Sequence, residues 1–397
     1  MQTTEAPVRG TTSRPTERAL APDLARGGML LFIAMAHGTG TALSATPGLE
    51  PEPTGVEGPV NMFLLSFVHA RSFPLFALMF GYGIVQLARR QERAGVDRRG
   101  ARAILLRRSA ALLALGALHG TLLLSGDILG AYGILGLVFT LTLLNRSDRV
   151  HRLAPWYLAL AGAVIAAYAF FTLSAWGPGD SGVPFRADPA PKPETYGEFV
   201  GENVAHWPVQ TLMFLSLIFM VWIGAWAARH RILENPAPHK RRLQTVAAGG
   251  LAVSVLGALP MSLLSAGLAT TNKEAASWAR MLYETTGTFG GLAYAAIFAL
   301  LALRIGQRRG PVVNAVAALG QRSLSGYLFQ SFAWLALTMP FAIDLAERSD
   351  SPLLVGLVCG IGVWLVTLTG AELLRRKRLR GPAEALLRRV TYGRARL

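Results

Sequence analysis

Charge is scarce in this chain. Of its 397 residues only 16% are Asp, Glu, Lys or Arg, while 52% are hydrophobic. A soluble domain carries about 25% charged residues, so the shortfall points to lipid rather than water as the solvent. Cysteine is nearly absent. Cys359 stands alone inside an apolar run, which excludes a disulfide framework and a thiolate metal site. A Walker loop, a dinucleotide fingerprint and a His-Glu-x-x-His pair are also missing, so neither a metal nor a tightly bound cofactor is expected. No internal repeat of about 20–50 residues marks a solenoid. The net charge of +16 does not imply nucleic acid as partner. The arginines sit in short clusters between apolar runs, with no separate basic domain interleaved with aromatics.

What is abundant is long apolar runs. Crossing about 30 Å of hydrocarbon takes about 20 mostly apolar residues in a helix. That criterion predicts an all-α integral membrane bundle of ten spans near 27–46, 60–88, 103–124, 127–145, 153–175, 208–229, 244–269, 281–303, 314–343 and 353–374. The second and ninth are overlong and invite an interfacial turn or a tilted end. A cleaved signal peptide is the alternative for the N-terminus, but the lead carries Glu17 and Asp23, which favours a retained first helix.

The connecting segments alternate in charge. Arg14 and Arg18, the run from Arg89 to Arg108, Arg146 to Arg152, Arg229 with Lys240 to Arg242, Arg308 with Arg309, and Arg375 to Arg380 occupy one set. Glu50, Glu52, Glu57, Asp127, the Pro-rich segment from Asp180 to Glu202, Glu274, and Asp344 to Asp350 occupy the other. The positive-inside rule then predicts both termini in the cytoplasm. The domain reading is a cytoplasmic tail over 1–24, a transmembrane domain over 25–374 with an irregular outer loop at about 176–207, and a basic cytoplasmic tail over 375–397. Ala, Gly and Arg richness suggests a bacterial source, hence the cytoplasmic (inner) membrane as location. The lipid bilayer is the expected partner, and a homodimer is left open.

Ionisable residues within spans are costly and are functional candidates by default. Arg26 and His37 are eleven residues apart, which returns them to within about 20° of one helix face with a rise of about 16 Å. Asp23 lies one turn before Arg26 and can pair with it. His119 follows Arg107 and Arg108 by a similar interval, so both histidines are expected near mid-depth, with Asp127 in the tight outer-face turn Ser125–Gly126–Asp127. Two imidazoles at one depth can serve as general base and orienter; the alternative is two unrelated interhelical hydrogen bonds. His69 and Arg71 precede Pro74, which is expected to kink the second span. For Arg71 the competing reading is snorkelling to the interface. Glu284 is a further intramembrane carboxylate with no assigned partner. Gly81–Tyr82–Gly83 reads as a close helix contact rather than a ligand site. The basic run Arg89 to Arg108 either sets topology or meets phosphates.

Together these stretches resemble a known family. Asp23 to Gly27, Arg71 to Gly83, Gly116 to His119 with Gly126 and Asp127, Gly320 to Ser331, and Gly381 to Arg394 are similar to the YeiB-like bacterial membrane proteins, long labelled a domain of unknown function. They cover the chain from near residue 20 to its end. That family looks related to the transmembrane acyltransferases, which include the acyltransferase-three proteins and heparan glucosaminide acetyltransferase. The resemblance implies acyl-CoA as a cytoplasmic co-substrate, an acceptor reached from the other side, and a membrane-embedded histidine at the reaction centre. The arginine–histidine spacing of acyltransferase-three proteins recurs in Arg26 and His37, although many YeiB-like proteins carry asparagine where this chain has His37.

The resulting expectation is an acyltransferase moving an acyl group from acyl-CoA to a hydroxyl or amine of a small-molecule, sugar or lipid acceptor. His37, His119 and Asp127 are its expected catalytic residues. Arg26, Arg107 and Arg108 are assigned to the donor's phosphates, and His69, Arg71, Glu284, Tyr327 and Gln330 to the acceptor. The alternative is a transporter, flippase or exporter using the same intramembrane groups.

Overall fold

Backbone polar groups in lipid must be satisfied within the chain, and apolar runs rich in Ala and Leu do this as helices. The computed structural model describes residues 19–42, 55–124, 126–179, 192–345, 349 and 351–393, and every regular element among them is helical. In chain order the α-helices are α1 (Leu20–Ala36), α2 (Glu57–Phe67), α3 (Ser72–Arg93), α4 (Arg98–Leu122), α5 (Leu129–Thr142), α6 (Asp148–His151), α7 (Trp156–Ala175), α8 (Tyr196–Met213), α9 (Ile218–Arg229), α10 (Lys240–Ser265), α11 (Lys273–Ile305), α12 (Pro311–Gln321), α13 (Ser323–Thr338), α14 (Pro352–Arg376) and α15 (Pro382–Tyr392). The first helix continues through His37–Ala42 as a π-helical segment.

Among the described residues, six runs are long and apolar enough to cross a membrane by length and composition: Glu57–Arg93, Asp148–Ala175, Tyr196–Arg229, Ala237–Ser265, Lys273–Ile305 and Pro352–Arg376. The other four expected spans fall on helices that are shorter or more charged. α1 has 17 residues, α5 has 14, α4 carries Arg102, Arg107 and Arg108, and the ninth span is divided.

Both overlong spans break. The second separates into α2 and α3 across residues 68–71, with Ala70 at φ 61°. The expected kink at Pro74 is thereby corrected. Pro74 lies in the first turn of α3, where its missing N–H costs nothing, and the chain bends before it. The ninth separates into α12 and α13 at Arg322, whose φ and ψ are −120° and 30°. The irregular loop expected over 176–207 is also shorter than read, although residues 180–191 lie outside the described ones. A capping box starts α8 at Tyr196. Thr195 Oγ1 accepts from the Glu198 N–H at 3.2 Å, and the Glu198 carboxylate accepts from the Thr195 N–H at 3.3 Å. The 375–397 tail holds the amphipathic α15, whose Ala383, Leu387 and Thr391 are buried. The first 18 residues, with Arg14 and Arg18, and the acids Glu50 and Glu52 lie outside the described residues.

α3 runs through the centre, packed on α9, α11, α1 and α4. Gly81 meets the backbone of Val221 and Gly224 that of Leu78, so α3 and α9 approach with no side chain between them. This is the packing role read from the sequence. α1 lies against α12 and α14, and α4 with α5 and α10 with α11 form antiparallel hairpins. At the periphery, α7 buries only Ala161 and Thr172. Its Leu160, Phe170 and Leu173 face outward, which suits a helix whose other neighbour is lipid.

Candidate functional site: a buried His–Asp–Ser cluster behind an arginine-rimmed cavity

The site begins with a tight turn between α4 and α5. Gly116 on α4 lies directly against the backbone of Gly130 on α5, where a Cβ would collide. This contact brings His119, near the end of α4, to Asp127, just ahead of α5. Asp127 accepts four hydrogen bonds. His119 Nδ1 is 2.8 Å from Oδ1, and the Leu129 N–H reaches the same oxygen at 3.0 Å. The Gly130 N–H donates to Oδ2 at 2.8 Å and Trp207 Nε1 at 3.1 Å. The carboxylate thus sits on the positive end of α5 with its lone pairs engaged.

His119 Nε2 faces Ser331 Oγ of α13 at 2.7 Å. Because Asp127 accepts throughout, the Nδ1 of His119 carries the proton, and Nε2 faces the serine hydroxyl, whose single hydrogen can turn to it or to the Tyr327 carbonyl at 3.1 Å. Asp127 and Ser331 are fully buried, and His119 is 1% exposed. Three residues from α4, the α4–α5 turn and α13 therefore form a nucleophile–base–carboxylate line with the mutual distances of a hydrolase triad.

A cavity of about 320 Å³ opens towards this cluster from the arginine-rich end of the bundle. Arg26, Arg90 and Arg108 line it together with Glu384 of α15. Phe80 and Tyr132 stack at 4.9 Å along its wall. Its inner part reaches Tyr327, whose ring lies 4.9 Å from the His119 ring and 6.5 Å from that of His37. The Tyr327 hydroxyl donates to the Gly126 carbonyl at 3.3 Å. Arg26 also donates to the Met79 carbonyl at 3.2 Å and approaches Asp23 at 3.9 Å.

The other predicted residues are distributed unevenly. Arg107 is exposed and does not line the cavity. Consecutive helical residues point about 100° apart, so Arg107 and Arg108 cannot share a face. Gln330 is buried and ties α13 to α1 through the Leu30 carbonyl at 3.3 Å. Glu284 stands exposed on α11 and pairs with Arg280 at 3.0 Å, an ordinary i,i+4 surface contact and not part of the cluster.

His69 and Arg71 form a second buried cluster at the α2–α3 break. Thr39 Oγ1 and His69 Nε2 are 3.0 Å apart. Arg71 donates to the His69 carbonyl at 2.7 Å and to Ser254 Oγ and carbonyl at 2.9 and 2.8 Å. Its guanidinium stands 5.0 Å from the Tyr283 ring centroid. His37, opening the π-helical segment, lies between the clusters within electrostatic range of both His119 and His69.

Four contributors escaped the sequence reading. Ser331 is unremarkable in a helix until His119 is opposite it. Arg90 is hidden in a run of topology-setting arginines. Trp207 belonged to a segment read as loop, and Glu384 to a segment read as tail.

Residues 227–394 match the family model described as "Protein of unknown function (DUF418)". The chain is 26% identical over 401 residues to the uncharacterized protein YeiB of Escherichia coli (strain K12), covering 94% of this chain and 96% of that protein. It is 24% identical over 351 residues to the uncharacterized protein YxaH of Bacillus subtilis (strain 168), covering 82% and 80%. The chain is thus similar to the YeiB-like DUF418 proteins, along most of its length in the two relatives and through its C-terminal part in the family model.

Proposed function

We propose that this protein is a membrane-embedded acyltransferase, taking an acyl group from an acyl-CoA-like thioester to a hydroxyl or amine acceptor. The observation that carries the reading is the buried His119–Asp127 pair behind the inner end of a cavity rimmed by Arg26, Arg90 and Arg108. Three guanidiniums at a mouth suit the phosphates of a nucleotide-bearing donor. A histidine held in one tautomer by a carboxylate suits a general base. His37, near the same tyrosine, is assigned to the acceptor's side of the reaction. In this reading the chain crosses the bacterial inner membrane ten times with both ends in the cytoplasm, so the donor enters from the cytoplasm.

Purified protein in detergent, given radiolabelled acetyl-CoA and cell extract, should transfer label and release free thiol. His119→Ala should lower that rate by about 10²–10⁴, the usual contribution of a general base. An unchanged rate in His119→Ala combined with His37→Ala overturns the assignment. The Arg71–His69–Thr39 string supports a second reading, a proton-coupled carrier. That reading requires pH-dependent substrate uptake into proteoliposomes without any thioester.

A further inference from the structure

We propose that Ser331 is the acyl carrier, so that transfer proceeds through a covalent serine ester rather than directly from donor to acceptor. The inference rests on the acyltransferase reading and adds a residue and a kinetic order to it. Ser331 Oγ lies 2.7 Å from His119 Nε2, and His119 Nδ1 lies 2.8 Å from Asp127 Oδ1. A general base that only activated an incoming acceptor would present a vacant nitrogen to the cavity. Here the basic nitrogen is already committed to a hydroxyl of the chain itself. The Tyr327 carbonyl at 3.1 Å, the i−4 acceptor common to helical serines, competes for the same hydroxyl proton, and His119 Nε2 at 2.7 Å is the nearer acceptor. Either bond leaves the oxygen lone pairs available for attack.

Access runs past one side chain. Tyr327 lines the inner part of the cavity, one helical turn (about 6 Å) before Ser331 on α13. Its ring leans on His119, and its hydroxyl is held at the α4–α5 turn by backbone groups of Gly126 and Ile128, the Gly126 carbonyl at the long distance of 3.3 Å. Turning that ring aside joins the cavity to Ser331.

In the first half-reaction Ser331 Oγ attacks the thioester carbonyl and its proton passes to His119 Nε2. The C–S bond then breaks, and the same proton leaves with the thiolate as free thiol. In the second half, His119 takes a proton from the acceptor hydroxyl or amine, which attacks the serine ester. The O–C bond breaks and the proton returns to Ser331. No redox partner or metal is required, and atoms and charge balance in each half.

The test uses the full chain in detergent with radiolabelled acetyl-CoA and no acceptor. Wild type should release thiol in a burst of about one equivalent per protein and retain label on the peptide containing Ser331. Ser331→Ala should lose burst and label while eluting as a folded species. Ser331→Cys, which keeps a nucleophile at the same atom, should recover labelling. Transfer at the wild-type rate by Ser331→Ala, with His119→Ala inactive, overturns the proposal and leaves the acyltransferase reading standing. A folded Ser331→Ala that keeps label elsewhere on the chain also overturns it. A wild-type protein that releases no thiol in the presence of cell extract overturns both.

Discussion

The two buried polar clusters, about Asp127 and about Arg71, are built on opposite electrical principles. At the first, a carboxylate is surrounded by donors on every lone pair: two backbone N–H groups, an indole and an imidazole. At the second, the fully buried guanidinium of Arg71 has no carboxylate partner among the described residues. It is held by carbonyls, a serine and the face of Tyr283. An acid whose field is compensated can fix one tautomer of a histidine and leave the ring ready to exchange a proton. A cation held only by dipoles and a π face keeps an outward field. The difference teaches that burial alone does not make a reactive site. The first arrangement suits the orientation of a histidine, and the second suits the bracing of a bend or the attraction of an anion.

Substitutions can break or sharpen this contrast. The largest effect is expected at Asp127. Asp127→Ala leaves an indole, an imidazole and two backbone N–H groups without their acceptor and should destabilise the fold by about 3–5 kcal/mol, the range for breaking a buried charged network. Thermal unfolding in detergent, followed by size-exclusion chromatography, reads this directly. Arg71→Met should behave differently. It removes the charge along with its desolvation cost, so stability should change by no more than about 1–2 kcal/mol in either direction. A collapse as severe as that of Asp127→Ala would erase the distinction between the clusters.

Thr39→Val is a finer probe. It keeps the shape of Thr39 but removes the hydroxyl that meets His69 and the Met35 carbonyl, and should cost about 1 kcal/mol. If the second cluster only braces the break, activity should survive. The smallest effect is expected at Glu284, which belongs to neither cluster. Glu284→Gln removes an exposed pair with Arg280 and should shift stability by less than about 0.5 kcal/mol.

Much of this arrangement was legible in the sequence. Apolar run length located the helices, the cost of charge in lipid singled out His119, His69 and Arg71, and Asp127 was noted in the turn after His119. The breaks at residues 68–71 and at Arg322 were not legible, because the apolar runs continue through them and the bends depend on tertiary contacts. Arg322, for example, is anchored to the Leu379 carbonyl beyond α14. Arg107 and Arg108 were equivalent by composition and were separated only by helical phase. Ser331 was invisible as a member of the cluster because a serine gains that place from its neighbour, and its neighbour lies 212 residues away. Glu284 shows the reverse error. A carboxylate inside an apolar window passes the intramembrane test even when a one-turn partner and an exposed face make it ordinary.

The far-flung partners of His119 also set an order of assembly. His119, Asp127, Leu129 and Gly130 leave the ribosome together as one hairpin, so the histidine's tautomer is fixed early. Trp207 follows Asp127 by 80 residues, roughly 4–16 seconds later at ordinary rates of synthesis. Ser331 comes only when α13 has been inserted. The oriented histidine therefore exists well before the serine it faces, and the cluster is complete only when the late helices pack against the early ones.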